Sequence, residues 1–130
     1  MREILFRGKC CTTGEWVEGF LGIEVPDVLV IQQFSYDEYF KSNCIDQYSL
    51  KPETIGQYTG MTDKNGTKIF EGDICWFYSG DYYSELWEQN AIVAITDMTD
   101  YEQTHYLNNA EYCEVIGNIY DNPELMEATK

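Results

Sequence analysis

The stretch Asp63-Lys64-Asn65-Gly66 is the strongest local constraint in this chain. Asn-Gly accepts positive φ at little cost, so the backbone can reverse within a few residues. The flanking residues then read as an antiparallel pair, with Ile55 to Met61 going out and Thr67 to Phe70 returning. Pro52 precedes the first strand, where a missing N–H does least harm. A chain organised by such a reversal favours β structure over helical packing.

The remaining segments agree. Trp16 to Val25 alternates, with Val17, Leu21, Ile23 and Val25 on one face and Trp16, Glu18, Phe20 and Glu24 on the other. Pro26-Asp27 turns the chain, and Val28-Leu29-Val30-Ile31 follows as a short apolar strand, so the two form a hairpin. Residues 34–48 read as a loop with room for a short helix, because Tyr36, Tyr39 and Phe40 have the spacing of one helical turn. Gly72-Asp73 bends the chain into a strand at Ile74 to Tyr78. A tyrosine-rich excursion spans Ser79 to Glu88. Ala91 to Thr96 is a continuous apolar run, expected as a central strand covered on both faces, and Tyr112 to Tyr120 is a final strand. Asn122-Pro123-Glu124 carries an N-cap residue, Pro at the first helical position and an early acid, marking a short C-terminal helix. About seven short strands with Gly-marked turns indicate a mostly β protein, a barrel or roll.

Charge narrows the function. The 130 residues carry 8 basic and 23 acidic side chains, a net charge of -15. Residues 1–70 have 7 basic and 10 acidic groups, whereas residues 71–130 have 13 acids and only Lys130. Direct binding to nucleic-acid backbones or anionic membranes is not expected, since both need Lys or Arg to displace counterions. An aromatic content of 15% is too high for an acidic disordered chain. The acidity therefore serves either solubility or a basic partner, including one that normally grips DNA.

Sites of chemistry are sparse. His105 is the one histidine and reads as a surface-loop residue. The five cysteines, Cys10, Cys11, Cys44, Cys75 and Cys113, lack a disulfide rhythm and read as small buried hydrophobes or free thiols. A zinc set of Cys44, Cys75, Cys113 and His105 has no supporting spacing. Adjacent Cys10 and Cys11 would point to opposite faces of a strand. Calcium is disfavoured too: with Asp63 as loop position 1, Gly66 and Glu71 fall out of register. No catalytic, cofactor or metal residues are assigned. The candidate partner surface is acidic and aromatic: Asp81, Tyr82, Tyr83, Glu85, Asp97, Asp100, Tyr101 and Glu102. Met1 to Arg7 has no signal-peptide core and no apolar run is long enough to span a membrane, so a cytoplasmic protein is expected.

Three blocks carry a resemblance. Arg2-Glu3-Ile4-Leu5-Phe6-Arg7-Gly8-Lys9 leads to Gly14-Glu15-Trp16-Val17-Glu18-Gly19. Thr54-Ile55-Gly56-Gln57-Tyr58-Thr59-Gly60 runs through the turn to Lys68-Ile69-Phe70-Glu71-Gly72-Asp73-Ile74. Val115-Ile116-Gly117-Asn118-Ile119-Tyr120-Asp121-Asn122-Pro123-Glu124-Leu125 closes the chain. Together these resemble the YopX family of phage and prophage proteins across essentially the whole sequence. Met126 stands where the family often has a second leucine.

The resemblance implies a phage or prophage origin and an intracellular setting in the bacterial host. It also implies a β-rich fold whose later part, from the Gly56-Gln57-Tyr58-Thr59-Gly60 block onward, is an SH3-like barrel. With the strand pattern, this divides the chain into an N-terminal β-hairpin and loop region over residues 1–53 and a barrel with a short C-terminal helix over residues 54–130. It supplies no reaction, cofactor or catalytic residue. The expectation is a non-enzymatic accessory protein that binds another protein, host-derived and basic. The rival readings are an acidic DNA mimic that blocks a host DNA-binding protein and a carboxylate- or metal-dependent enzyme. Barrel edges and tyrosine surfaces favour homo-oligomers, which the net charge opposes.

Overall fold

The computed structural model describes residues 4–24, 28–77 and 91–127. The protein is mostly β, with antiparallel sheets and short helices, and it divides into two compact units, Met1–Gln57 and Tyr58–Lys130.

In the first unit, β1 (Phe6–Lys9), β2 (Trp16–Glu24), β3 (Val28–Asp37) and β4 (Ser42–Ser49) pair antiparallel in the order β4-β3-β2-β1. The far side of β1 takes Gly56 and Gln57, the first residues of β5 (Gly56–Thr62). The expected β2–β3 hairpin is present, running from Phe20↔Gln32 to Glu24↔Val28. Val30 and Ile31 of β3, with Cys10 just after β1 and Leu50 just after β4, are the buried apolar residues described in this unit. Beside them the Arg7 guanidinium lies 4.6 Å from the Trp16 ring centroid and the Lys9 ammonium 5.5 Å from it, an electrostatic contact with the ring face.

The loop expected over residues 34–48 is instead a second hairpin. β3 continues to Asp37 and β4 returns in register from Ser42↔Asp37 to Ser49↔Val30. The helix-like spacing of Tyr36, Tyr39 and Phe40 comes from the turn. The Asp37 carboxylate accepts the N–H groups of Tyr39 (2.8 Å) and Phe40 (3.1 Å), and Lys41 takes a left-handed φ of 51°. Alternating aromatic and polar residues then suit a pleated ribbon better than a helix.

In the second unit, β5 pairs with β6 (Lys68–Phe70) across the expected turn, where Gly66 sits at φ 82°. β7 (Asp73–Phe77), β8 (Ala91–Ala94) and β9 (Cys113–Asn118) form an antiparallel sheet in the order β8-β7-β9. Among the described strands the run at Ala91 to Thr96 is therefore not central. Among the described residues β8 lies at the end of this sheet and is half-buried, whereas β7 has strands on both sides and supplies the fully buried Ile74, Cys75 and Phe77. Apolar continuity could not rank the two runs, because β7 is equally apolar and is fixed in place by the tight Glu71-Gly72 turn. The described strands remain open, and no closed barrel forms among them.

The core of this unit joins Ile69, Cys75, Phe77, Ile95, Leu107, Ala110 and Cys113, with Tyr106 and Tyr112 packed against it. Cys75 and Cys113 are buried thiols; the hydrogen bond between them and their burial push the Cys75 thiol far up from its usual range. Among the described residues two α-helices, α1 (Tyr101–Leu107) and α2 (Glu124–Glu127), and a 3-10 turn at Ala110–Tyr112 complete the unit. The second α-helix agrees with the expected C-terminal helix. Gly117 permits the approach to it, since a Cβ there would lie 2.6 Å from Asn122 Oδ1.

One buried carboxylate organises the turn. Asp63 is 5% exposed. Its Oδ1 accepts the N–H groups of Asn65 (2.8 Å) and Thr67 (2.9 Å), and its Oδ2 accepts Val115 N–H on β9 (2.9 Å). Lys64 N–H adds a bond to the Cys113 carbonyl at 3.0 Å. Burial pushes the Asp63 carboxyl up, but the three N–H donors outweigh it and the net shift is downward. Asp63→Ala leaves those donors unsatisfied, and urea denaturation at neutral pH is expected to show a loss of about 3 kcal/mol. Because the folded pKa is depressed, the Asp63 contribution is complete above the unfolded value near 4 and disappears as pH falls through the folded one. The gap between wild type and Asp63→Ala therefore narrows in acid.

Candidate functional site

The loop leaving β8 is tied down by short-range hydrogen bonds. Gln103 Oε1 accepts the N–H groups of Thr96 (2.7 Å) and Asp97 (2.8 Å). Asp97 accepts Thr99 N–H at 2.9 Å and the Thr99 hydroxyl at 2.6 Å, and these bonds, the hydroxyl foremost, hold its carboxyl below the usual range. Asp100 is the N-cap of α1, accepting Glu102 N–H at 3.1 Å. The Thr104 hydroxyl closes the turn by donating to the carbonyls of Asp100 and Met98.

These contacts set a groove of about 350 Å³ along β8. Ala91, Ile92, Val93 and Ala94 form one wall; Asp100, Glu102, Gln103 and Tyr106 form the other, with Met126 of α2 contributing. The Tyr106 ring packs 4.8 Å from Phe77, centroid to centroid, and its hydroxyl is pushed above the usual tyrosine range by burial and by the Glu102 charge. Strand backbone, an aromatic ring and two carboxylates together suit an extended chain bearing ammonium or guanidinium groups.

Of the eight sequence-assigned surface residues, Asp100 and Glu102 line this groove. Tyr101 is 86% exposed at the first position of α1 and Asp97 is exposed beside it; neither lines the groove. Asp81, Tyr82, Tyr83 and Glu85 lie outside the described residues. Tyr106, which the sequence interleaves with the same acids, lines the groove as well, whereas Gln103 and Met126 were not singled out from sequence. Gln103 had a signal: Asp100 followed three residues later by Gln is a capping-box pattern. That pattern also marks residues 101–107 as helix, so His105 is not a loop residue. It sits half-buried on α1, with its ring 6.4 Å from that of Tyr106.

The cysteines separate. Cys10 is buried at an isolated bridge to Leu50, and Cys11 is exposed in the turn that follows. Cys10 Sγ lies 3.2 Å from the Thr12 hydroxyl, which with Thr13 lowers its pKa to about 7; the sequence carried no sign of this. Cys75 and Cys113 are in the core and His105 is on α1. Among the described residues no three His, Cys, Asp or Glu side chains converge as a metal set.

Fold and groove thus define a small two-unit β protein with an acidic, aromatic cleft. The family model of the YopX protein matches residues 5–127, and the chain belongs to that family. Among solved structures it is similar to protein EF1440 from Enterococcus faecalis, at 23% identity and a TM-score of 0.56, covering 97% of this chain and 99% of that one. At that identity the likeness concerns the fold. No curated protein matches the chain. Among the described residues no helix is long and apolar enough to cross a membrane.

Asp100→Ala is expected to cost about 1 kcal/mol, as loss of an N-cap does. Thermal melting followed by circular dichroism checks this, with Tyr101→Ala as the control that leaves the cap intact and the melting temperature nearly unchanged.

Proposed function

We propose that the protein is a phage or prophage accessory protein, working in the cytoplasm of the bacterial host, that binds a basic protein partner and carries out no reaction of its own. The observation that carries this reading is the groove along β8, which places Asp100 and Glu102 beside Tyr106 and the strand backbone. An extended basic segment would find main-chain partners, an aromatic face and two negative charges in one place.

A DNA mimic is the second reading, favoured by the charge of Tyr58–Lys130, which has 14 acids against 3 bases. The geometry supports it less. Asp63 and Asp73 are buried, while Asp97 and Asp100 bind local N–H groups, so part of the acid excess has work inside the fold. The enzyme reading finds little support, since the half-buried His105 has another ring as its neighbour.

Glu102 is the discriminating position, because Asp97 and Asp100 cannot be reversed in charge without disturbing the loop and the helix cap. Immobilised wild type is expected to retain a basic host protein that Glu102→Lys binds about tenfold more weakly, with raised salt weakening the wild-type complex. Retention indifferent to both Glu102→Lys and salt overturns the reading. Competition of the captured protein by duplex DNA would select the mimic.

A further inference from the structure

The strongest unexplained feature is the β3–β4 ribbon of the first unit. Beyond Gln32, β3 has left its pairing with β2, so Gln33 to Asp37 and Ser42 to Asp46 continue as two strands alone among the described residues. Its register puts Phe34 opposite Ile45, with the Phe20 ring 5.6 Å from that of Phe34. Phe20, Phe34 and Ile45 share this face and are 54%, 55% and 57% exposed. Their neighbours on it along β3 and β4 are Gln32, Tyr36, Asn43 and Gln47, none of them charged.

β4 is also an edge. No described strand pairs with its outer side, although Ser49 O accepts Cys11 N–H at its C-terminal end. The span Ser42 to Tyr48 has no Pro, Lys or Arg and one acid, Asp46, so it lacks the devices that usually protect an edge. Its hydrogen-bonding phase follows from Leu50 N–H, which donates to Leu29 O at 3.0 Å. Even-numbered β4 residues therefore point their main-chain groups at β3, and Asn43, Ile45 and Gln47 point theirs outward.

We infer that this edge pairs with the same edge of a second copy of the chain, antiparallel about a two-fold axis through Ile45. In that register Ile45 faces Ile45 of the second copy, and Asn43 faces Gln47 in both directions. Every outward N–H and C=O between them then has a partner. Asp46 falls opposite Cys44 rather than a second Asp46, so no like charges meet directly, and the two aromatic faces, uncharged along β3 and β4, become continuous. A second copy suits the site because the pairing is self-complementary, as an isologous contact must be. The β3–β4 ribbon carries Asp37, Glu38 and Asp46 against Lys41, so two chains of charge -15 approach there with less repulsion than through Tyr58–Lys130, which has 14 acids against 3 bases. Three half-exposed apolar side chains per copy bury only roughly 300 Å², below the ~800 Å² per partner of a standard interface. The main-chain ladder must supply the remainder, and the dimer is weak, with a Kd on the order of micromolar.

This inference goes beyond the binding reading, needing no other protein and using a different unit. Purified chain is measured by light scattering and sedimentation at about 100-fold above that Kd, at low and high salt. The expected result is a mass twice 15.1 kDa, with dimer increasing as salt screens the repulsion. Ile45→Lys, at an exposed position that leaves the core untouched, should give a folded monomer by circular dichroism, while Tyr101→Ser should remain dimeric. Hydrogen exchange should show the Asn43, Ile45 and Gln47 amides protected in wild type and not in Ile45→Lys. A monomeric wild type at high salt, or an Ile45→Lys variant that still dimerises, overturns the inference. So does capture of a different protein on β4 by a wild type that never self-associates.

Discussion

The second unit depends on one carboxylate that is almost wholly withdrawn from solvent. Asp63 closes its own turn through Asn65 and Thr67 and reaches Val115 on β9, fifty-two residues further along the chain. A buried charge is tolerated only when hydrogen bonds replace its water, and three N–H donors do so here. The same contact that makes the reversal tight therefore fixes where the β5–β6 hairpin meets the β8-β7-β9 sheet. Lys64 N–H, bonded to the Cys113 carbonyl, fixes the adjacent residue of the turn. The core residues Ile69, Cys75 and Cys113 lie on the strands this contact joins.

Two further acids follow the same logic at the surface. Asp97 and Asp100 form local bonds to Thr99 and to Glu102 N–H, which fix the loop and the start of α1. Gln103 draws that loop back onto the helix. The groove beside β8 is thus a consequence of capping chemistry, and the charge lining it is only partly available to a partner. Acid content alone overstates the site.

The hairpins were legible where turn residues or alternation were strong: Asn65-Gly66, the β2–β3 pair, and the helix start at Asn122-Pro123. The failures share a physical cause. Residues 34–48 contain a side-chain-capped turn at Asp37, which brings Tyr36, Tyr39 and Phe40 into a spacing that imitates a helix. Residues 101–107 are a real helix whose signal lay in Asp100 and Gln103 rather than in apolar periodicity. The two apolar runs at β7 and β8 could not be ordered because centrality depends on which strands flank each, a property of topology and not of either run. The low pKa of Cys10 was invisible for the same reason, since it arises from how Thr12 and Thr13 fold back on the thiol.

The distribution of charge ties these points together. The second unit turns several of its acids to structural use, while Glu102 lines the groove without a capping role. The first unit does the opposite, placing uncharged aromatics on a ribbon whose outer edge no described strand covers. The two proposed contacts would therefore respond oppositely to salt. Attraction of a basic segment to the groove weakens as ionic strength rises, whereas contact between two copies of a chain at -15 strengthens. Ionic strength thus separates the surfaces within a single protein, with neither measurement borrowing from the other.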